Sequence, residues 1–130
     1  VTAPGATSLG AFAVATGTAE LAAFRLATGL AGGSGVPLTF PMRWLALPEV
    51  RTALLAMVPE PDVVPVHESQ SFDYVEPLKA DEPYHLAVSA RRETGPDRLI
   101  VEGVVSSAGG GLCARLETIL RLVSTAGAAA

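Results

Sequence analysis

At 130 residues the chain has the length of one domain, since single domains run to roughly 100–150 residues and one of this size buries about two-thirds of its unfolded surface. An apolar share of 49% beside 17% charged residues is high for so short a chain and predicts apolar surface buried between subunits, hence an oligomer. A net charge of −4 with nine Lys and Arg, scattered apart from the Arg91-Arg92 pair, provides no basic stripe and argues against a nucleic-acid partner. The single cysteine, Cys113, excludes an internal disulfide or thiolate cluster and reads as a packing residue. Two histidines far apart in sequence argue against a metal site. No window approaches about 18 uninterrupted apolar residues and the start lacks the basic and apolar regions of a signal peptide, so a soluble, cytoplasmic chain with no membrane partner is expected.

In chain order, residues 1–9 mix Pro, Gly, Ser and Thr without periodicity and read as a flexible arm. Gly10 to Ala15 can form a short strand with Phe12 and Val14 on one face. Thr18 to Thr28 reads as a helix: Thr18 can cap, Glu20 suits the positive end of the dipole, Gly29 follows the end, and Leu21, Phe24 and Thr28 share a face. LAGGSGVP, Leu30 to Pro37, reads as a loop. Pro41 opens a helical pattern through Met42, Trp44 and Leu45, and Pro48 marks a kink or the first turn of a second piece. Val50, Ala53, Leu54, Met57 and Val58 then recur at helical spacing and define a core-facing helix ending at Pro59.

From Val64 the period changes to 2. In the first long strand Val64, Val66, Gln70, Phe72 and Tyr74 are expected on one face, with His67, Ser69, Ser71 and Asp73 on the other. Leu86, Val88 and Ala90 alternate with His85, Ala87 and Ser89 in the next, the ETGPD turn at Glu93 to Asp97 makes a hairpin, and Leu99 to Ser107 follow. The last strand places Leu112, Ala114, Leu116, Thr118, Leu120 and Leu122 on one face and Arg115, Glu117 and Arg121 on the other. Residues 124–130 are small, without anchors, and read as a flexible tail.

Short strand, helix, Gly-rich loop, apolar helix and antiparallel meander, together with PLTFPM at Pro37 to Met42, VHESQSFDYVEPL at Val66 to Leu78 and RLETILRLV at Arg115 to Val123, resemble the N-terminal-type domain of MaoC-like dehydratases. The resemblance implies an α+β hot-dog fold over residues 10–123, in which an antiparallel sheet wraps a central helix. It also implies 3-hydroxyacyl-thioester dehydratase or enoyl-CoA hydratase chemistry on coenzyme A or acyl-carrier substrates, with no further cofactor and no metal, in a homodimer or a heterodimer with another hot-dog chain. Active members carry an Asp and a His in a D-x-N-P-x-H loop after the first helix. Aligning the helix-closing glycine on Gly29 puts Leu30 and Gly35 at those two positions, so the dyad is missing and the chain is expected to be weakly active or a non-catalytic partner subunit.

Within that frame the candidate catalytic residue is His67, as a surrogate base, against the plainer reading of a strand-start histidine bonded to a loop. Candidate substrate-binding residues are Thr39, Phe40 and Arg43, at a helix start whose N–H groups could polarise a thioester carbonyl, together with Gln70 and Phe72 on the strand. Gln70 should be part-buried and need a polar partner. Glu68 adjoins His67 but should point to the opposite face. Two alternatives remain open: an acyl-CoA thioesterase using Glu49, and a non-catalytic assembly module without a thioester ligand.

Overall fold

The computed structural model describes residues 5–29 and 35–125. Its elements are β1 (Thr7–Ala15), α1 (Thr18–Ala27), a 3-10 helix (Phe40–Ala46), α2 (Pro48–Leu55), β2 (Val63–Tyr74), β3 (Pro83–Glu93), β4 (Arg98–Ser107) and β5 (Leu112–Ser124). The five strands form one antiparallel sheet in the order β1-β3-β4-β5-β2. The two strands that precede and follow the helical segment therefore lie at opposite edges, and the tightly connected meander β3-β4-β5 lies between them.

Period-2 alternation puts one face of the sheet in the core. Leu86 and Val88 of β3, Leu99, Val101 and Val105 of β4, and Ala114, Leu116 and Leu122 of β5 are buried, while His85 and Arg115 on the opposite face are exposed. Gly103 lies mid-strand on the buried face; a Cβ there would stand 2.9 Å from Leu116 Cγ and Cδ1 and 3.1 Å from Leu86 Cδ1. The glycine is what lets those two leucines close over the strand.

In place of one long helix, the inner face is covered by the 3-10 helix and α2, with α1 beside them. Phe40, Trp44, Val50 and Leu54 all join the core cluster. Phe24, Phe40, Trp44 and Tyr84 form a chain of aromatic contacts at centroid separations of 5.4, 6.0 and 6.4 Å, the first two edge-on as ring quadrupoles favour. Trp44 Nε1 donates to Ala15 O at 3.3 Å, which ties the 3-10 helix to the end of β1. Pro48 begins α2, where a missing N–H costs nothing.

Side-chain ties close the connections. The Thr16 hydroxyl donates to Lys79 O at 2.5 Å and accepts from Glu82 N–H at 3.1 Å. Arg92 reaches Glu60 through two N–H···O contacts of 2.8 and 2.6 Å and Asp97 through two of 3.0 and 2.9 Å. That guanidinium holds the segment after α2 against the β3-β4 hairpin, and its forked donors fit two carboxylates at once.

Several expectations are corrected. β1 starts at Thr7, inside the segment read as an arm. Gly17, not Thr18, is the N-cap of α1. The Thr18 backbone N–H and hydroxyl instead donate to Asp81 carboxylate oxygens at 3.1 and 2.5 Å, so a remote aspartate does the capping. Thr28 is exposed and bonds back to Phe24 O at 2.8 Å, a use of the hydroxyl that takes it off the core face. α2 ends at Leu55, and turn hydrogen bonds carry the chain on to buried Val58. The largest correction is in β2. A register shift between His67 and Ser69 leaves Glu68 as the extra residue opposite β5. The bulge flips the alternation: Val63 and Pro65 are the part-buried positions before it, and Gln70, Phe72 and Tyr74 after it, while Val64 and Val66 are 45% and 48% exposed. Residues 1–4, 30–34 and 126–130, which include most of the expected Gly-rich loop and the tail, lie outside the described residues; Ser124 closes β5, and Thr125 N–H donates to Asp62 O at 2.7 Å.

Candidate functional site

The bulge in β2 determines what faces the helices. A continuous 2-residue alternation would put His67 and Gln70 on opposite faces. With Glu68 bulged out, both side chains line one cleft between the sheet and the 3-10 helix and α2. The cleft has a volume of about 550 Å³, within the range of small-molecule sites. Leu45, Leu54 and Val58 on the helical side face Leu99, Val101 and Leu120 on the sheet side, so its walls are mostly aliphatic.

A polar cluster interrupts this apolar lining. Thr118 is 3% exposed, sits directly opposite Gln70 in the β2-β5 register, and donates its hydroxyl to Gln70 Oε1 at 2.5 Å. The same oxygen lies 3.4 Å from His67 Nε2, and Gln70 Nε2 points to Ser71 O, also at 3.4 Å. An amide oxygen only accepts, so the contact suits the tautomer in which Nε2 carries the proton and Nδ1 is the lone-pair nitrogen. Thr118 thus orients Gln70, and Gln70 orients His67. Arg51, on α2, is the other ionisable side chain of the lining, which includes no Asp or Glu.

The expected site residues divide. His67 and Gln70 come together, as does the polar partner that Gln70 requires. Phe40 is fully buried between Phe24 and Trp44 and belongs to the core cluster, outside the cleft lining. Thr39 and Arg43 are exposed and Phe72 stacks on Tyr74 at 6.2 Å; none of the three lines the cleft. At the helix start two of the expected donors are used and one is missing: Phe40 N–H bonds Pro37 O at 3.0 Å, Pro41 has no N–H, and Met42 N–H bonds Thr39 O at 3.1 Å. A tight 3-10 turn uses the N–H groups that an α-helix would leave free. Glu68 is engaged on the outer face with Arg98 and Arg121, both at 2.9 Å. Glu49 is exposed in the first turn of α2 and is not part of the cleft wall.

Thr118 and Arg51 had not been singled out. The signal for Thr118 was present, as the one hydroxyl in an inward row of Leu and Ala on β5. Arg51 carried none, because an arginine on an exposed helical position is ordinary.

Nothing matches among protein-family models, and nothing among the curated proteins. Solved structures do match. The 3R-hydroxyacyl-ACP dehydratase complex HadBC from Mycobacterium tuberculosis superposes with a TM-score of 0.65 at 15% identity, over 84% of this chain and 90% of that one. A hot-dog-like protein from Thermanaerovibrio acidaminovorans gives 0.64 at 15% identity, over 95% and 85%. The chain has the hot-dog fold. Among hot-dog proteins the likeness is not confined to dehydratases: Slr0204, a 1,4-dihydroxy-2-naphthoyl-CoA thioesterase from Synechocystis, matches at 0.63 with 13% identity, over 88% and 81%. Among the described residues no helix is long and apolar enough to cross a membrane.

Proposed function

We propose that this chain handles acyl thioesters of coenzyme A or an acyl carrier, with the acyl group in the cleft between α2 and the sheet and His67 as its proton-accepting group. The observation that carries this reading is the His67-Gln70-Thr118 cluster set in an otherwise aliphatic cleft. A buried hydroxyl on a core strand needs a partner, and here the partner holds an imidazole at the cleft wall. In hydration of a 2-enoyl thioester, Nδ1 would take a proton from water as its oxygen bonds to C3, and the proton would return to C2; dehydration is the reverse. The aliphatic walls would hold the chain and exclude bulk water.

Hydratase or dehydratase chemistry is favoured over hydrolysis by the position of Glu49, the carboxylate a thioesterase reading would use, outside the cleft. Since the loop position expected for an Asp and His holds Leu30 and Gly35, slow turnover is expected from the chain alone, or a role as the acyl-binding half of a dimer. Exposed Val66 on the edge strand β2 offers apolar surface for such a partner. The test is hydration of crotonyl-coenzyme A, followed by loss of the enoyl thioester absorbance, with His67→Ala in parallel. Turnover that falls at least about 100-fold in the variant supports His67 as the base; turnover equal in both proteins overturns that role.

A further inference from the structure

The charge of the cleft sets it apart from the rest of the molecule. The chain carries thirteen acidic residues against nine Lys and Arg, yet the cleft lining includes none of the acids and both of its ionisable groups, Arg51 and His67, are basic. His67 is occupied on its Nε2 side by Gln70. Among the described residues Arg51, like Arg43 and Arg115, forms no side-chain hydrogen bond or ion pair, whereas Arg25, Arg91, Arg92, Arg98 and Arg121 all do; of the three free guanidiniums only that of Arg51 lines the cleft. It projects from α2 one helical turn before Leu54 and Leu55, which also line the cleft. A guanidinium with no acceptor among the described residues, at the wall of an aliphatic cleft whose described lining holds no carboxylate, complements one kind of molecule: an apolar chain carrying an anion.

The geometry points to Arg51 as a specificity residue that selects chains ending in a carboxylate. The carboxylate pairs with the guanidinium, and the hydrocarbon lies along Leu54, Leu99 and Leu120. This rests on the reading of the cleft as an acyl site and narrows it, because a neutral chain of the same length fills the same walls without the ion pair.

Binding of decanoate and of 1-decanol, both below the concentration at which they aggregate, is measured calorimetrically on the wild-type protein and on Arg51→Gln. Arg51 is exposed, so the variant is expected to fold, which its melting curve would verify. The expected result is that decanoate binds about tenfold more tightly than decanol, the size of one partly exposed charge-assisted contact, and that the preference disappears in Arg51→Gln. Equal binding of the two ligands to the wild type overturns the role of Arg51 while leaving the acyl cleft in place. Binding of neither overturns both. Coenzyme A without an acyl chain is the third ligand: if its affinity falls in Arg51→Gln by the same factor as that of decanoate, the arginine serves the carrier's phosphates and the proposal fails.

Discussion

Thr118→Val removes one hydroxyl at almost constant shape, from a side chain that is 3% exposed. The bond lost is the 2.5 Å contact to Gln70 Oε1, and a typical internal hydrogen bond contributes about 1 kcal/mol net. Two effects reduce the cost. Valine places a methyl where the hydroxyl was, and Gln70 is only half-buried on the open side of the cleft, so water can replace the lost donor. The expected loss is therefore no more than about 1 kcal/mol in urea titrations, or roughly 3–5 °C in melting temperature for a domain of this size. The decisive quantity is the coupling. With Gln70→Leu as the second variant, the double-mutant cycle should return about 1 kcal/mol of interaction between the two positions. The consequence for His67 is separate and larger in kind: once Gln70 loses its orientation, the ring loses its fixed tautomer. Long-range nitrogen–proton correlation spectra should show the Nε2–H form dominant in the wild-type protein and a mixture in Gln70→Leu. A coupling energy indistinguishable from zero, or a tautomer mixture already present in the wild type, would refute the chain of orientation from Thr118 to His67.

Gly103→Ala should destabilise the domain. The new Cβ would meet Leu116 Cγ at 2.9 Å, and an overpacked site of this kind costs about 1–3 kcal/mol, less the roughly 0.5–1 kcal/mol gained by replacing glycine in a strand; a variant as stable as wild type in urea titration would show that β4 and β5 pack more loosely than described. Acid should weaken the fold through the Arg92 node. The guanidinium of Arg92, foremost by its hydrogen bonds, holds Glu60 down to about 2 from an ordinary 4.5 and lowers Asp97 as well. Carboxyls more acidic in the folded than in the unfolded chain stabilise it above the unfolded value and lose that contribution as pH falls from about 4.5 towards 2. The denaturation midpoint should decline across that window and decline less in Arg92→Gln; equal slopes would contradict the assignment.

Much of this architecture was legible because it depends on period. The alternation of β5 and the change from helical spacing to strand spacing near Val63 follow from where leucines and valines fall, and burial of one face enforces the rest. Pro48 opening α2 follows from the missing N–H alone. Sheet order was not spelled out strand by strand, since it depends on long-range pairing that no single segment encodes. The face assignment in β2 failed at one residue. Continuous alternation carried Val64 and Val66 to the inner face; the bulge at Glu68 puts Val66 on the outer face and leaves Val64 half-exposed at the edge of the cleft. Glu68, beside Arg98 and Arg121 on the outer face, has a stable place only if it leaves the alternation, but that reason needs the partner strand to be known. The same slip decided the site. His67 and Gln70 were identified on opposite faces and meet only because of the bulge. Thr39, Phe40 and Arg43 were chosen for an α-helical N-terminus, and the 3-10 turn there uses its own donors.

The central claim is that the acyl group enters between α2 and the sheet at His67. Methyl and imidazole chemical-shift mapping during titration with octanoyl-coenzyme A tests it most directly. The account predicts shifts at Leu54, Val101, Leu120, Thr118 and the His67 ring, and unchanged methyls at Val66 and Val104 on the outer face. Shifts confined to the outer face, or none at millimolar ligand, would contradict it.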